Sequence, residues 1–316
     1  MSGFKKVALV GSGLIGSSIA HNIRARQLAE VIAVIELSED RCDEVLRLGL
    51  ADIATTDLSI GVKDADLVIL CTPVGTYAEL ARNMSEHLMD GAILSDVGSV
   101  KAQVISDVAP HVPFGTQFIP GHPIAGTEKS GPNAGFRELF ENRWVILTPT
   151  QGTEPKAIDR LCRFWEACGA KVETMDADDH DMVLAMTSHL PHLIAYSIVD
   201  TANKLESSLK SEVIKYSASG FRDFTRIAGS NPTMWRDIFL TNKSAVLDTL
   251  SRFNEDLTVL QKAIQDSDGT ALFETFTETR KIRHEVVEQG QAGTFDPREP
   301  DEVDSDPQVL TPYGGA

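Results

Sequence analysis

The chain has 316 residues, 42% of them hydrophobic, enough for two ordinary domains and a large buried core. A formal charge of −17 opposes nucleic acid and anionic membrane surfaces at long range, so neither is an expected partner. Cys42, Cys71, Cys162 and Cys168 form neither a CxxC pair nor a secreted framework, no apolar run reads as bilayer-spanning, and Gly11 and Gly13 interrupt any leader-like start, so the expectation is a reduced, cytoplasmic protein.

From Lys5 to about Thr174, short β-branched runs alternate with helical patterns. The runs are Val7 to Val10, Val31 to Ile35, Leu67 to Cys71, Ala92 to Ser95, Gln117 to Ile119, Val145 to Leu147 and Lys171 to Glu173. This alternation predicts an α/β fold, a Rossmann-type domain with a mainly parallel sheet over residues 1–175. The first strand runs into Val10-Gly11-Ser12-Gly13-Leu14-Ile15-Gly16, a GxGxxG spacing that opens an amphipathic helix near Leu14. Gly11 permits a tight turn, Gly13 lets backbone approach a pyrophosphate and Gly16 lets helix and strand pack closely, so phosphates meet the helix N-terminus.

Glu36 follows the second strand, twenty residues beyond Gly16, where an acid accepts hydrogen bonds from the adenosine ribose diol. Leu37 and Ser38 offer no arginine for a 2′-phosphate, so NAD is expected over NADP, and no flavin enclosure follows. The bland alternative is a plain glycine turn with Glu36 solvated. Cys71-Thr72-Pro73-Val74 and Ser95-Asp96-Val97-Gly98-Ser99 end later strands and should line the same crevice, although Pro73 and Gly98 also suit ordinary turns.

Residues 176–290 lose the strand signal and repeat apolar residues at helical spacing, as in Leu247, Leu250, Phe253, Leu257 and Leu260. Val183 to Ala202 is apolar on more than one face, which predicts burial between domains or subunits and hence a helical dimerisation domain. Pro191 should kink or break that stretch at Leu190. Residues 291–316, rich in Gly, Pro, Asp and Glu, read as a disordered acidic tail.

Three segments look unlike filler: Pro120-Gly121-His122-Pro123-Ile124-Ala125-Gly126-Thr127-Glu128, Ser188-His189-Leu190-Pro191-His192, and Gly220-Phe221-Arg222-Asp223-Phe224-Thr225-Arg226-Ile227-Ala228. A loop histidine at the carboxyl end of a strand, His122, can take a proton near neutrality while a neighbouring carbon gives up hydride; its plain alternative is a solvated surface group. His189 and His192 lack a third ligand at a recognisable spacing, so no metal is expected. Asp178, Asp179, His180 and Asp181 suit a helix-initiating acidic turn.

With the Gly11 fingerprint and Asp96-Val97-Gly98-Ser99-Val100-Lys101, these segments closely resemble the prephenate and arogenate (cyclohexadienyl) dehydrogenases over about Lys5 to Glu288. The resemblance implies oxidation of a ring alcohol by NAD with loss of the ring carboxylate as carbon dioxide, and His122 as the base. It implies that Ser99 hydrogen-bonds that hydroxyl, orients His122 and lies by the cofactor, where Leu14, Ile15, Thr72 and Pro73 are also placed. A second reading makes Ser99 the N-cap of a helix beginning near Val100. Arg226 matches the family arginine that grips a substrate carboxylate, against a salt bridge to Asp223 as its alternative. Arg222 lies one helical turn earlier. Ser188 and His192 fall in the substrate wall, Glu128 and Trp235 in pocket segments, and Asp181 where relatives may separate amino from keto side chains. Trp235 would reach in from a partner subunit or be an ordinary core or exposed tryptophan. The rivals are a β-hydroxyacid-type dehydrogenase, for which Lys204, Lys210, Lys215 and Lys243 stand in no matching motif, and a non-catalytic NAD sensor.

Overall fold

A computed structural model describes residues 3–127, 129–205 and 219–288, so Glu128 and the predicted tail lie outside the described residues. The larger sheet holds β1 (Phe4–Val10), β2 (Ala29–Ile35), β3 (Ile53–Thr55), β4 (Leu67–Leu70), β5 (Ile93–Asp96) and β6 (Gln117–Ile119). Their order is β3-β2-β1-β4-β5-β6, with every neighbouring pair parallel. The order reverses direction between β1 and β4, which opens a crevice beyond their carboxyl ends.

Helices cover both faces, so the central strands are continuous apolar runs rather than alternating ones. Side chains of β1 still alternate by face. Val7 and Leu9 join Ile19, Ile23, Phe164 and Trp165 in one core, while Ala8 and Val10 join Tyr77, Val104 and Trp235 in the other. The first helices are α1 (Leu14–Arg26), α2 (Glu39–Arg47), α3 (Leu58–Val62), α4 (Tyr77–Met84) and α5 (Ala102–Val108). Predicted amphipathic, α1 is instead buried nearly all round, because Arg137 and Phe136 cover its outer side through bonds to Asn22 and Ser18.

The chain then leaves the first sheet and builds a second, smaller one. Its strands are β7 (Gly121–Pro123), β8 (Trp144–Leu147) and β9 (Lys171–Thr174), with β7 antiparallel and β9 parallel to β8. A single mainly parallel sheet is therefore corrected to a parallel sheet of six and a mixed sheet of three. His122, expected in a loop, sits inside β7 opposite Ile146. Prolines on both sides of His122 hid that strand from the sequence, but β7 is an edge strand, where a proline costs no ladder bond.

After α6 (Pro155–Ala167) come α7 (Ala177–Leu184), a π-helical turn (Ala185–His189), α8 (Leu190–Asn203), α9 (Ser219–Thr225), α10 (Pro232–Thr241), α11 (Lys243–Gln265) and α12 (Gly269–Glu288). The expected break at Pro191 does not occur: Leu190 stays helical (φ −59°, ψ −47°) and the helix runs from Ala177 to Asn203. The π turn restarts the hydrogen-bond register, which puts Pro191 in the first turn of α8, where its missing N–H costs least. Unbroken, this helix is long and apolar enough by length and composition to cross a bilayer, contrary to the sequence reading. Its first turns instead fasten His180, Asp181 and His189 to the protein interior.

Thr258 and Val259 part the chain into two compact units. The first contains both sheets, the helices through α10 and α11 as far as Thr258. Trp235 and Ile238 of α10 belong to the same core as Val10 and Leu70. The second unit contains the remainder of α11 and, among the described residues, α12.

Candidate active site

The β1–α1 turn has the shape of an anion cradle. Gly11 sits at φ +95°, a region that side chains disfavour, and a Cβ on Gly16 would lie 2.2 Å from the Gly11 carbonyl oxygen. The N-cap of α1, Gly13, carries no side-chain cap and has open space where its Cβ would be. Backbone N–H groups at this N-terminus are thus left for a ligand anion. Leu14 is buried and Ile15 half-buried behind them, while Thr72 and Pro73 border the turn across the crevice from the end of β4. Thr72 is fixed there by a 2.8 Å hydroxyl contact with Thr76.

Glu36 is buried rather than solvated. Its Oε1 accepts from the Ser12 backbone N–H (2.6 Å) and hydroxyl (2.5 Å), and Oε2 accepts from the Leu37 N–H at 3.3 Å. Oε2 keeps acceptor capacity for a diol at the rim of the crevice. Both ends of the turn therefore fit a dinucleotide.

The catalytic candidate is held from two directions. Asp96 ends β5, and its Oδ1 accepts from the Gly121 N–H at 3.1 Å. The fully buried Lys101 amine donates to Asp96 and, at 2.8 Å, to the Gly121 carbonyl. Burial pushes the Asp96 carboxyl up and the Lys101 amine down, and each charge offsets part of the other's desolvation. This clamp fixes the residue just before His122 to the carboxyl end of the parallel sheet.

On its other side, His122 Nδ1 lies 2.9 Å from His180 Nε2, with the two rings edge to face. His180 Nδ1 is in turn 2.8 Å from Asp181 Oδ1. Burial pushes His122 well below the usual histidine range, and the neighbouring His180, Lys101 and His189 push the same way. The imidazole is therefore unprotonated near neutrality. At 7% exposed, it is not the solvated loop group that was the alternative reading.

One expectation is corrected here, and the partners of Asp181 become visible. Ser99 does not cap a helix at Val100, because α5 begins at Ala102, and its first N–H groups are met by Asp181. Half-buried Ser99 stands between Asp96 and Lys101, the two residues that clamp Gly121. Asp181, expected to select among substrates, has its carboxylate committed to the N–H groups of Lys101 (2.7 Å) and Ala102 (2.9 Å) and to His180.

A second group gathers on α8 to α10. The His192 ring stacks on Trp235 at 3.6 Å between centroids, and its Nδ1 donates to the Ser188 carbonyl at 2.9 Å. Burial lowers the His192 pKa, the Ser188 carbonyl partly opposes this, and the nearby charge of Arg226 lowers it further. Trp235 is buried in its own chain's core, which overturns the reading that it reaches in from a partner. Arg226 starts the short helical turn Arg226–Gly229 and is exposed. Asp223, its suggested salt-bridge partner, pairs instead with Arg222 at 3.2 Å on the surface. His189 is fully buried, with Nδ1 3.1 Å from the Asn242 amide nitrogen.

Sequence reasoning placed Asp96 only along the crevice and His180 only in an acidic helix start, and gave no role of their own to Lys101 or Asn242. For His180 a signal existed: it lies four residues before the apolar Leu184, so both fall on the inward face of α7. A histidine on a buried face needs a polar partner, and Asp181 stood next to it.

Fold and site define a dinucleotide-dependent dehydrogenase with a buried histidine, His122, at the carboxyl end of its parallel sheet. Residues 19–174 match the prephenate dehydrogenase nucleotide-binding domain, and residues 176–278 match the prephenate dehydrogenase dimerization domain. A cyclohexadienyl dehydrogenase of Zymomonas mobilis is 42% identical, over 90% of this chain and 96% of that protein. The prephenate dehydrogenase of Aquifex aeolicus, solved with hydroxyphenyl propionate and NAD+, superposes with a TM-score of 0.83 at 36% identity, covering 89% of this chain and 98% of that one. An arogenate dehydrogenase of Synechocystis superposes at 0.77 with 29% identity, covering 89% and 99%. The chain belongs to the prephenate dehydrogenase family.

Proposed function

We propose that this enzyme uses NAD to oxidise and decarboxylate prephenate, arogenate or both, giving 4-hydroxyphenylpyruvate or tyrosine, and so serves tyrosine biosynthesis. The observation that carries this reading is a buried histidine, His122, locked by Gly121 to the carboxyl end of a sheet whose first turn is shaped for a dinucleotide. NAD, when bound, accepts the hydride from the ring carbon that bears the hydroxyl. Glu36 accepts from the adenosine ribose and repels a 2′-phosphate.

His122 takes the hydroxyl proton at Nε2, since Nδ1 is engaged with His180. Ser99 hydrogen-bonds the same hydroxyl and fixes its direction. Once that carbon has become a carbonyl, the bond to the ring carboxylate breaks, carbon dioxide leaves, and its electron pair enters the ring to form a phenolate, which takes the proton back from His122. Aromaticity drives this release, so the protein's task is orientation and the handling of one proton. Arg226 grips a substrate carboxylate, supplying locally the positive charge that the acidic chain lacks overall. His192, held flat on Trp235, and Ser188 line the wall beside it. Arg222, one helical turn before Arg226, contacts the same substrate, and Glu128 keeps a substrate role from the resemblance alone.

The enzyme works in the cytoplasm as a homodimer, a reading supported by the match to a dimerization domain and by the apolar helix Ala177–Asn203. Adding prephenate or arogenate to protein and NAD should raise NADH fluorescence; silence with both substrates would refute the activity. His122→Asn should lower kcat by about 10²- to 10⁴-fold with NAD affinity unchanged.

A further inference from the structure

Three polar side chains stand in a row behind the reacting site. Asp181 Oδ1 accepts from the Lys101 N–H at 2.7 Å and Oδ2 from the Ala102 N–H at 2.9 Å, so the carboxylate faces His180 Nδ1 as an acceptor. His180 Nδ1 must then carry the proton. With one proton per ring, His180 Nε2 is left as an acceptor, and His122 Nδ1, 2.9 Å away, must be the donor. The order of donors runs inward from His122 to a carboxylate that the N-terminus of α5 holds in place.

We infer that His180, anchored by Asp181, is a positioning residue that fixes His122 as its Nδ1–H tautomer and so reserves Nε2 as the base. This rests on the reading of His122 as proton acceptor. The pair also acts during proton transfer. When His122 Nε2 takes the hydroxyl proton, the new imidazolium already donates through Nδ1 to His180, behind which stands the Asp181 carboxylate. The groups that face His122 from packed elements are Lys101 after β5, His180 on α7 and His189 in the π turn; Lys101 disfavours a cation there, and the two histidines do so only when they are themselves protonated. The relay to Asp181 opposes them. It gives a buried, weakly basic histidine a compensating anion at the moment of proton transfer.

Asp181 thus reaches the chemistry through His180 rather than by touching substrate. The α7 turn that looked like an acidic helix start carries this pair on its inward side.

The direct test is 15N NMR of histidine-labelled wild-type protein, with the His122 signals assigned by their loss in His122→Asn. A protonated Nδ1 and a bare Nε2 on His122 are expected; a proton on Nε2, as a doubly protonated His180 would impose, overturns the inference. This readout needs no turnover, so it stands apart from the activity assay that tests the function itself. In parallel, His180→Leu should lower kcat roughly 10²-fold, with KM for substrate and Kd for NAD within about threefold. The acid limb of the kcat profile should move to lower pH, because His122 loses the acceptor that stabilises its cation. His180→Gln, whose Oε1 can accept from Nδ1–H, should recover about tenfold of the lost turnover. Wild-type kcat and an unshifted profile in His180→Leu would overturn the role.

Discussion

His122 and Arg226 illustrate how far one residue's environment decides its use. Both are polar, yet one is buried beside Lys101 and kept neutral, and the other is exposed near a half-buried histidine. For Arg226→Ala, KM for substrate should rise about 10- to 100-fold while kcat changes less, and Arg226→Lys should restore only part of the affinity because the planar fork is lost. Steady-state kinetics on both variants checks this; an unchanged KM would remove Arg226 from the binding site. His189 offers a pH prediction. Burial lowers its pKa from 6.5 to about 4, so the folded protein binds this proton less readily than the unfolded chain does. Its contribution to stability is complete above pH 6.5 and is lost as pH falls from there toward 4. The melting temperature should drop across that window, and less steeply in His189→Gln. The decline persists in part, since His122 is shifted the same way. Equal slopes would show that His189 carries none of it.

At the scale of elements, the segments read correctly from sequence were those whose cause is local. The β1–turn–α1 unit is one: hydrophobic strand, glycine spacing and helix start lie within a few turns of each other, and Gly11 and Gly16 meet steric demands that their own neighbours impose. β7 was invisible because its partner, β8, lies more than twenty residues on, and two prolines disguise it. The continuity of the helix through Pro191 was equally hidden, since a π turn is set by what the helix must bury rather than by propensity. The clamp between β5 and β7 is of this kind. Lys101→Met should destabilise the protein by about 3–5 kcal/mol, because Asp96 would remain buried without its cation. Urea unfolding measures it, and a loss below about 1 kcal/mol would mean that the pair does not hold the two strands together.

For the whole molecule, the exposed apolar side chains decide what is missing from a single copy. Val183 (43%), Met186 (51%), Ile198 (37%) and Val199 (39%) lie open along one long helix. A surface of this kind calls for a partner, and a second copy fits the match to a dimerization domain. Sedimentation should give twice the chain mass of 34.4 kDa, and the double variant Val183→Asp, Met186→Glu should shift the protein toward monomer. A fully active wild-type monomer would end this reading.

The sequence alone determined the dinucleotide fold and singled out an acid after the second strand, a histidine and an arginine suited to the chemistry. These rest on short-range sterics and side-chain type, which the chain carries in its order. Only the tertiary structure decided that His122 is buried and backed by His180 and Asp181, that Asp181 faces a helix end, and that Trp235 supports His192 within its own chain. The His122 tautomer and its charge compensation depend on His180, brought in from 58 residues away, and no local pattern encodes such a meeting.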